Sequence, residues 1–103
     1  VKDMIISGGE NVYSVEVEAA IHRHEAIEQC AIIGLADEQW GERVHAEIVV
    51  TPGQSVTEEE LRDHCRPFLA GFKLPRSVKV VESLPLTAAG KIDKVAIRNR
   101  YSE

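Results

Sequence analysis

A chain of 103 residues, 44% of them hydrophobic, can bury one modest core, because surface-to-volume scaling leaves interior for a single domain. Its formal net charge is −5 and aromatic residues make up 5%, which, without a groove-reading motif, speaks against nucleic acid as a partner. Cys30 and Cys65 stand in no CxxC or metal-ligand spacing, no apolar run approaches the roughly 20 residues of a membrane helix, and no signal-peptide pattern is present, so a reducing cytoplasm is the expected setting.

Met4-Ile5-Ile6 and Val12-Tyr13 flank Ser7-Gly8-Gly9-Glu10-Asn11, which predicts two short strands around a tight glycine turn. From Ser14, a candidate cap, to about His24 the pattern is helical: Val17, Ala20, Ile21 and His24 fall at i, i+3, i+4 and i+7, so one face can be buried. Ile27 to Leu35 and Val44 to Thr51 each hold a continuous apolar run and suit strands covered by helices on at least one face. Asp37 to Glu42, between them, reads as a turn. Thr57 and Glu60 form a capping-box pair, predicting a helix to about Arg66. Pro67 lacks a backbone donor and stops or kinks it. Val78 to Val81 reads as a third strand and Lys94 to Tyr101 as a terminal helix. The interleaving predicts an α+β class: a small compact sandwich with an N-terminal hairpin and a three-stranded sheet flanked by helices.

Charge is unevenly spread. Residues 1–60 hold 13 acidic and 3 basic side chains, residues 61–103 hold 4 and 9. The C-terminal part is suited to face phosphates, and a solvated surface explains it equally well. Within it, Leu84-Pro85-Leu86-Thr87-Ala88-Ala89-Gly90-Lys91-Ile92-Asp93-Lys94 is a loop whose glycine is followed at once by lysine. Lysine is a compact charge on a flexible stem. At about 4 Å and an effective dielectric near 20, one contact to an oxyanion is worth roughly 4 kcal/mol before desolvation. The segment is not a nucleotide P-loop, since no glycine lies five residues before Gly90 and Ile92, not Ser or Thr, follows Lys91. Taken singly, Lys91 is explained by an exposed surface lysine and Gly8-Gly9 by a hairpin turn. His22, His24, His45 and His64 make no recognisable metal site. Trp40 reads as a packing residue, and the two cysteines as core thiols.

Read together, the two segments carry more. The opening KDMIISGGENVYSVEVE resembles the hinge-and-loop motif of the adenylate-forming enzyme superfamily, and PLTAAGKIDK resembles its C-terminal lysine motif. DEQWGERVHAEIVV and LAGFKLPRSVKVVESLP between them resemble acyl-CoA synthetase C-terminal domains, so the likeness spans the chain. It is greater to fatty-acyl and aryl-CoA ligases than to peptide-synthetase relatives, because Lys2 holds the hinge position where the latter have aspartate. Ser14, where many relatives have proline, and Pro67 depart from the pattern.

The resemblance implies that residues 1–103 are the mobile C-terminal domain of an ATP-dependent acyl-CoA synthetase, beginning at the interdomain hinge. It implies an adenylation lysine at Lys91, a thioester-forming loop at Gly8 and Gly9, with Gly9 lining the pantetheine tunnel, and a hinge at Lys2. ATP, Mg2+ and CoA would be bound mainly by a large N-terminal domain, the partner that also holds the carboxylic acid substrate. No metal ligand is implied in this chain, and acetylation of Lys91 would delete its charge. The competing reading is a non-catalytic CoA- or nucleotide-binding, or protein-interaction, module.

Overall fold

A computed structural model describes residues 3–102, so the hinge candidate Lys2 lies outside the described residues. β1 (Met4–Ser7) and β2 (Glu10–Tyr13) pair antiparallel with Ile5 opposite Val12. Both side chains point inward. The hairpin runs without a loop into α1 (Ser14–His22), which buries Val17, Ala20 and Ile21. Ser14 is therefore not the cap: Tyr13 occupies that position without a side-chain bond, and Ser14 is the first helical residue. Its amide is satisfied by the Asp3 carbonyl at 3.0 Å, which does the work of the missing cap.

β3 (Ile27–Asp37) and β4 (Gly41–Val50) form a long antiparallel ladder with a bulge between Ile27 and Gln29. The strands extend past the apolar runs, pairing Ala36 with Glu42 and Asp37 with Gly41, so the turn shrinks to residues 38–40. Asp37 holds it by accepting the amides of Gln39 and Trp40 at 2.9 and 3.0 Å. Hydrophobic pattern ends where the core ends, whereas backbone pairing continues into solvent.

Thr57 and Glu60 close the expected capping box at the start of α2 (Glu58–Cys65), and the helix ends at Arg66, before Pro67. A short 3-10 turn (Gly71–Lys73) leads to β5 (Ser77–Val80), and α3 (Lys94–Asn99) closes the fold, capped by Asp93. β4 is the central strand of a five-stranded sheet. β3 lies along one edge of it, and β1 at Gly41 with parallel β5 from His45 to Ile48 share the other. The hairpin thus belongs to the same sheet as the three later strands.

Alternation along β3 and β4 builds two cores. Cys30, Ile32, Val44, Ala46 and Ile48 pack under α1 and α2, while Ala31, Ile33, Leu35 and Val49 pack with Leu84 and Ile97 of the C-terminal segment. A sheet covered on both faces is why the strand centres read as unbroken apolar runs. Both cysteines are buried and free. Burial pushes the Cys30 thiol up to about 12 and that of Cys65 to about 11, far from the thiolate state that reactivity requires.

One polar cluster interrupts the second face. Glu47 is fully buried and His45 nearly so. The Glu47 carboxylate accepts from the Tyr101 hydroxyl, from Arg100 at 3.1 Å and pairs with His45 Nε2 at 3.1 Å, while His45 Nδ1 lies 2.6 Å from Ser77 Oγ. This network ties the residues following α3 to the central strand.

Candidate functional site: two turns

Lys91 stands on a closed turn. Leu86 and Ile92 bridge antiparallel across its base. The Thr87 amide donates to the Lys91 carbonyl at 2.6 Å, the Gly90 amide to the Thr87 carbonyl at 2.9 Å, and the Lys91 amide to Thr87 Oγ1 at 3.3 Å. The Asp93 amide then donates to the Pro85 carbonyl at 2.8 Å, and Asp93 caps α3. The backbone under Lys91 is thus fixed while its side chain is exposed. Among the described residues no hydrogen bond or ion pair occupies its amine. Leu86, whose bridge to Ile92 closes the turn, and Val95, in the first turn of α3, are apolar and 57% and 62% exposed.

The glycine turn is fastened to a different neighbour. The Gly8 amide donates to the Trp40 carbonyl at 2.9 Å, and the Ile6 amide to Glu42 Oε1, also at 2.9 Å. Since β1 and β4 pair in register only at Ser7 and Gly41, these two bonds do much of the seating. Gly8 and Gly9 have φ of +60° and +82°, the left-handed region that side chains disfavour. Their surroundings differ: a Cβ on Gly8 would meet Trp40 Cε3 at 2.9 Å, whereas nothing lies within 4 Å of one on Gly9. Gly9→Ala should therefore cost about 1–2 kcal/mol from backbone conformation alone. Gly8→Ala should cost more, and chemical denaturation of the two variants checks the ordering.

Trp40 is half-buried, between Gly8 and the Arg76 guanidinium, which stacks 3.7 Å from its ring centroid. Sequence reasoning had it as a packing residue, which it is, but could not see that what it packs against is the glycine turn. Arg76 and Glu42 were missed as neighbours of that turn, since each is far from it in sequence and no spacing rule links them.

The two turns do not form one pocket. The glycine turn sits on the residue 38–40 turn, at the far end of β1 from Asp3, and the lysine turn is attached to the start of α3. A cleft of about 440 Å³ is lined by Arg23, His24, Glu25, Thr51, Gln54 and His64 among others, and includes neither. In it the His24 and His64 rings stand 4.9 Å apart, but His24 Nδ1 accepts the Ala26 amide and His64 Nε2 lies 2.8 Å from the Ala20 carbonyl. Among the described residues no group of three or more His, Cys, Asp or Glu is placed to hold a metal ion, and no helix is long and apolar enough to cross a membrane.

Comparison with known proteins completes the picture. Residues 16–91 match the family described as AMP-binding enzyme C-terminal domain. A long-chain-fatty-acid–CoA ligase, FadD13, of Mycobacterium tuberculosis is 46% identical over 101 residues, covering 98% of this chain and 20% of that protein. A feruloyl-CoA synthase of an Amycolatopsis species is 45% identical over 100 residues, covering 97% and 20%. Among solved structures, the amide bond synthetase McbA of Marinactinospora thermotolerans superimposes with a TM-score of 0.93 at 38% identity, over 99% of this chain and 21% of that one. The chain spans about one fifth of the length of the relatives it matches.

Proposed function

This chain belongs to the AMP-binding enzyme C-terminal domain family, and from that premise we propose that it is the mobile C-terminal domain, residues 1–103, of an ATP-dependent acyl-CoA synthetase. The observation that carries the reading is Lys91: an amine with no partner among the described residues, on a turn whose backbone is fixed by hydrogen bonds. Such a group is preorganised to be delivered to oxyanions held elsewhere.

In the first half-reaction a carboxylate attacks the α-phosphate of ATP, giving acyl-adenylate and pyrophosphate. Lys91 bridges carboxylate and phosphate oxygens, holding them in line and countering the charge that develops on them. It acts as an electrostatic clamp, not as a nucleophile. In the second, CoA thiol attacks the acyl carbon and AMP departs. Between the two half-reactions, a rotation about the hinge at Lys2 exchanges the lysine turn for the Gly8-Gly9 turn at the reacting centre. The separation of the two turns supports such an exchange, since one rigid body can present either but not both. The open space over Gly9 is what passage of a pantetheine arm requires. ATP, Mg2+, CoA and the acid are bound mainly on a larger N-terminal domain.

The reading is tested with the 103-residue chain in pure form. Incubated with ATP, Mg2+, CoA and a panel of aliphatic and aromatic acids, it is expected to form neither acyl-AMP nor acyl-CoA, and calorimetry is expected to show only weak binding of ATP and CoA. Turnover by the chain alone, or tight binding of either ligand, overturns it in favour of a self-sufficient enzyme or a dedicated binding module.

A further inference from the structure

The lysine at the start of α3 is engaged, whereas Lys91 has no partner among the described residues. Lys94 Nζ hydrogen-bonds the Asp3 carboxylate, lies 2.8 Å from Glu18 Oε2 and 3.3 Å from Ser14 Oγ, and its side chain is only 19% exposed. Each partner leads to a different part of the fold. Glu18 Oε2 also accepts the Ile32 amide of β3 at 2.9 Å, Ser14 opens α1, and Asp3 immediately precedes β1. Arg98, one turn further along α3, stands 3.7 Å from the same Asp3 carboxyl. Burial alone raises the pKa of Asp3, but the hydrogen bonds from Lys94 and Ser14 and the charges of Lys94 and Arg98 outweigh it and hold the carboxyl below its usual value.

Asp3 is adjacent to the proposed hinge at Lys2, and the glycine turn follows it on the same short hairpin, so covalent continuity already relates that turn to the hinge. Lys91 is at the opposite end of the chain. Its position relative to the hinge depends on a tertiary tie, and the ion pair from α3 to Asp3 supplies one. Resting on the reading above, we propose that Lys94 is a positioning residue that couples the hinge-proximal segment to the lysine turn, so that hinge rotation carries Lys91 as part of a rigid body. The coupling serves adenylation and leaves thioester formation, which uses the hairpin, largely untouched. Misplacement of a positioned group by about 1 Å is enough to lose roughly 100-fold in rate, so a partial loosening should cost about 10-fold or more.

The structural half of the proposal is tested on the 103-residue chain by carboxyl-detected NMR titration. Asp3 should titrate below the ordinary aspartate range in the native chain and return towards it in Lys94→Met; no change in Asp3 removes the tie. The functional half is tested in a full-length synthetase bearing this domain, with Lys91→Ala as the control for the underlying reading. Lys94→Met should lower acyl-adenylate formation about 10-fold or more, with thioester formation from supplied acyl-adenylate changed less than about two-fold, and Lys94→Arg should recover most of the loss. Should Lys94→Met fail to fold by circular dichroism, Asp3→Asn takes its place and should show the same division. Equal loss in both half-reactions, or no loss in a folded variant, overturns the proposal. An unaffected Lys91→Ala overturns the underlying reading instead.

Discussion

In a full-length enzyme containing this domain, Lys91→Ala is expected to slow acyl-adenylate formation by roughly 10²–10³-fold, the range seen when one preorganised donor to a developing oxyanion is removed, while thioester formation from supplied acyl-adenylate stays nearly unchanged. The asymmetry follows from the two turns. Lys91 is fixed by Thr87 and Gly90 on the lysine turn, and no hydrogen bond or ion pair joins it to the glycine turn among the described residues, so its loss does not disturb Gly8 or Gly9. Because its backbone is set by main-chain bonds and its amine makes no hydrogen bond or ion pair among the described residues, truncation should change the stability of the 103-residue chain by no more than about 0.5 kcal/mol. Lys91→Arg keeps the charge but replaces a compact ammonium by a planar fork, and should restore only part of the rate. Pre-steady-state measurement of the separate half-reactions provides the check; loss of both steps together, in a folded variant, removes the clamp role.

Legibility in the sequence divided along physical lines. The five strands and three helices were readable wherever burial imposes a period or an uninterrupted run, as at Ile48-Val49-Val50, and the Thr57–Glu60 box was readable because both partners lie within one helical turn. The boundaries were not: β3 and β4 continue to Asp37 and from Gly41 through residues that bury nothing decisive, α3 stops at Asn99, two residues short of Tyr101, and Ser14 could not declare that Asp3 would satisfy its amide. For the site, Lys91 and the glycine pair could be picked out by motif. What seats them could not, because Trp40, Glu42 and Arg76 meet the glycine turn, and Asp3 meets Lys94, only through the tertiary fold. His45 and Glu47 are the sharpest case: the apolar run that follows them suits a covered strand, but nothing in the sequence links them to Ser77, Arg100 and Tyr101, which reach them only through the fold.

That covered pair sets the other large expectation. Removing both donors that follow α3, in Arg100→Ala with Tyr101→Phe, should destabilise the 103-residue chain by about 3 kcal/mol, the lower end of the range for breaking a buried ion pair, since His45 stays beside Glu47 and the Arg100 side chain is 43% exposed and its share is screened. Glu47→Met should cost less, although it deletes the hub itself: it removes the buried charge outright, and the Tyr101 hydroxyl, 3.1 Å from His45 Nε2, remains to satisfy the histidine. Against a typical domain stability of roughly 5–15 kcal/mol, the difference is readily measured by urea denaturation. The pH dependence should follow from the same groups. Burial lowers the pKa of His45 from 6.5, overcoming the opposing pull of Glu47, so below that value the unfolded chain binds a proton that the folded chain refuses. Stability must then fall as pH drops through 6.5, until the depressed native value is reached. At the alkaline end, burial and the Glu47 carboxylate raise Tyr101 from 10 to about 12, and stability should decline as pH rises through that window. Replacing His45 by glutamine should flatten the acid slope and leave the alkaline one. A double donor variant as stable as Glu47→Met would show that Glu47 does not hold the C-terminal residues to the sheet in solution, and an acid slope unchanged without His45 would remove that histidine as its source.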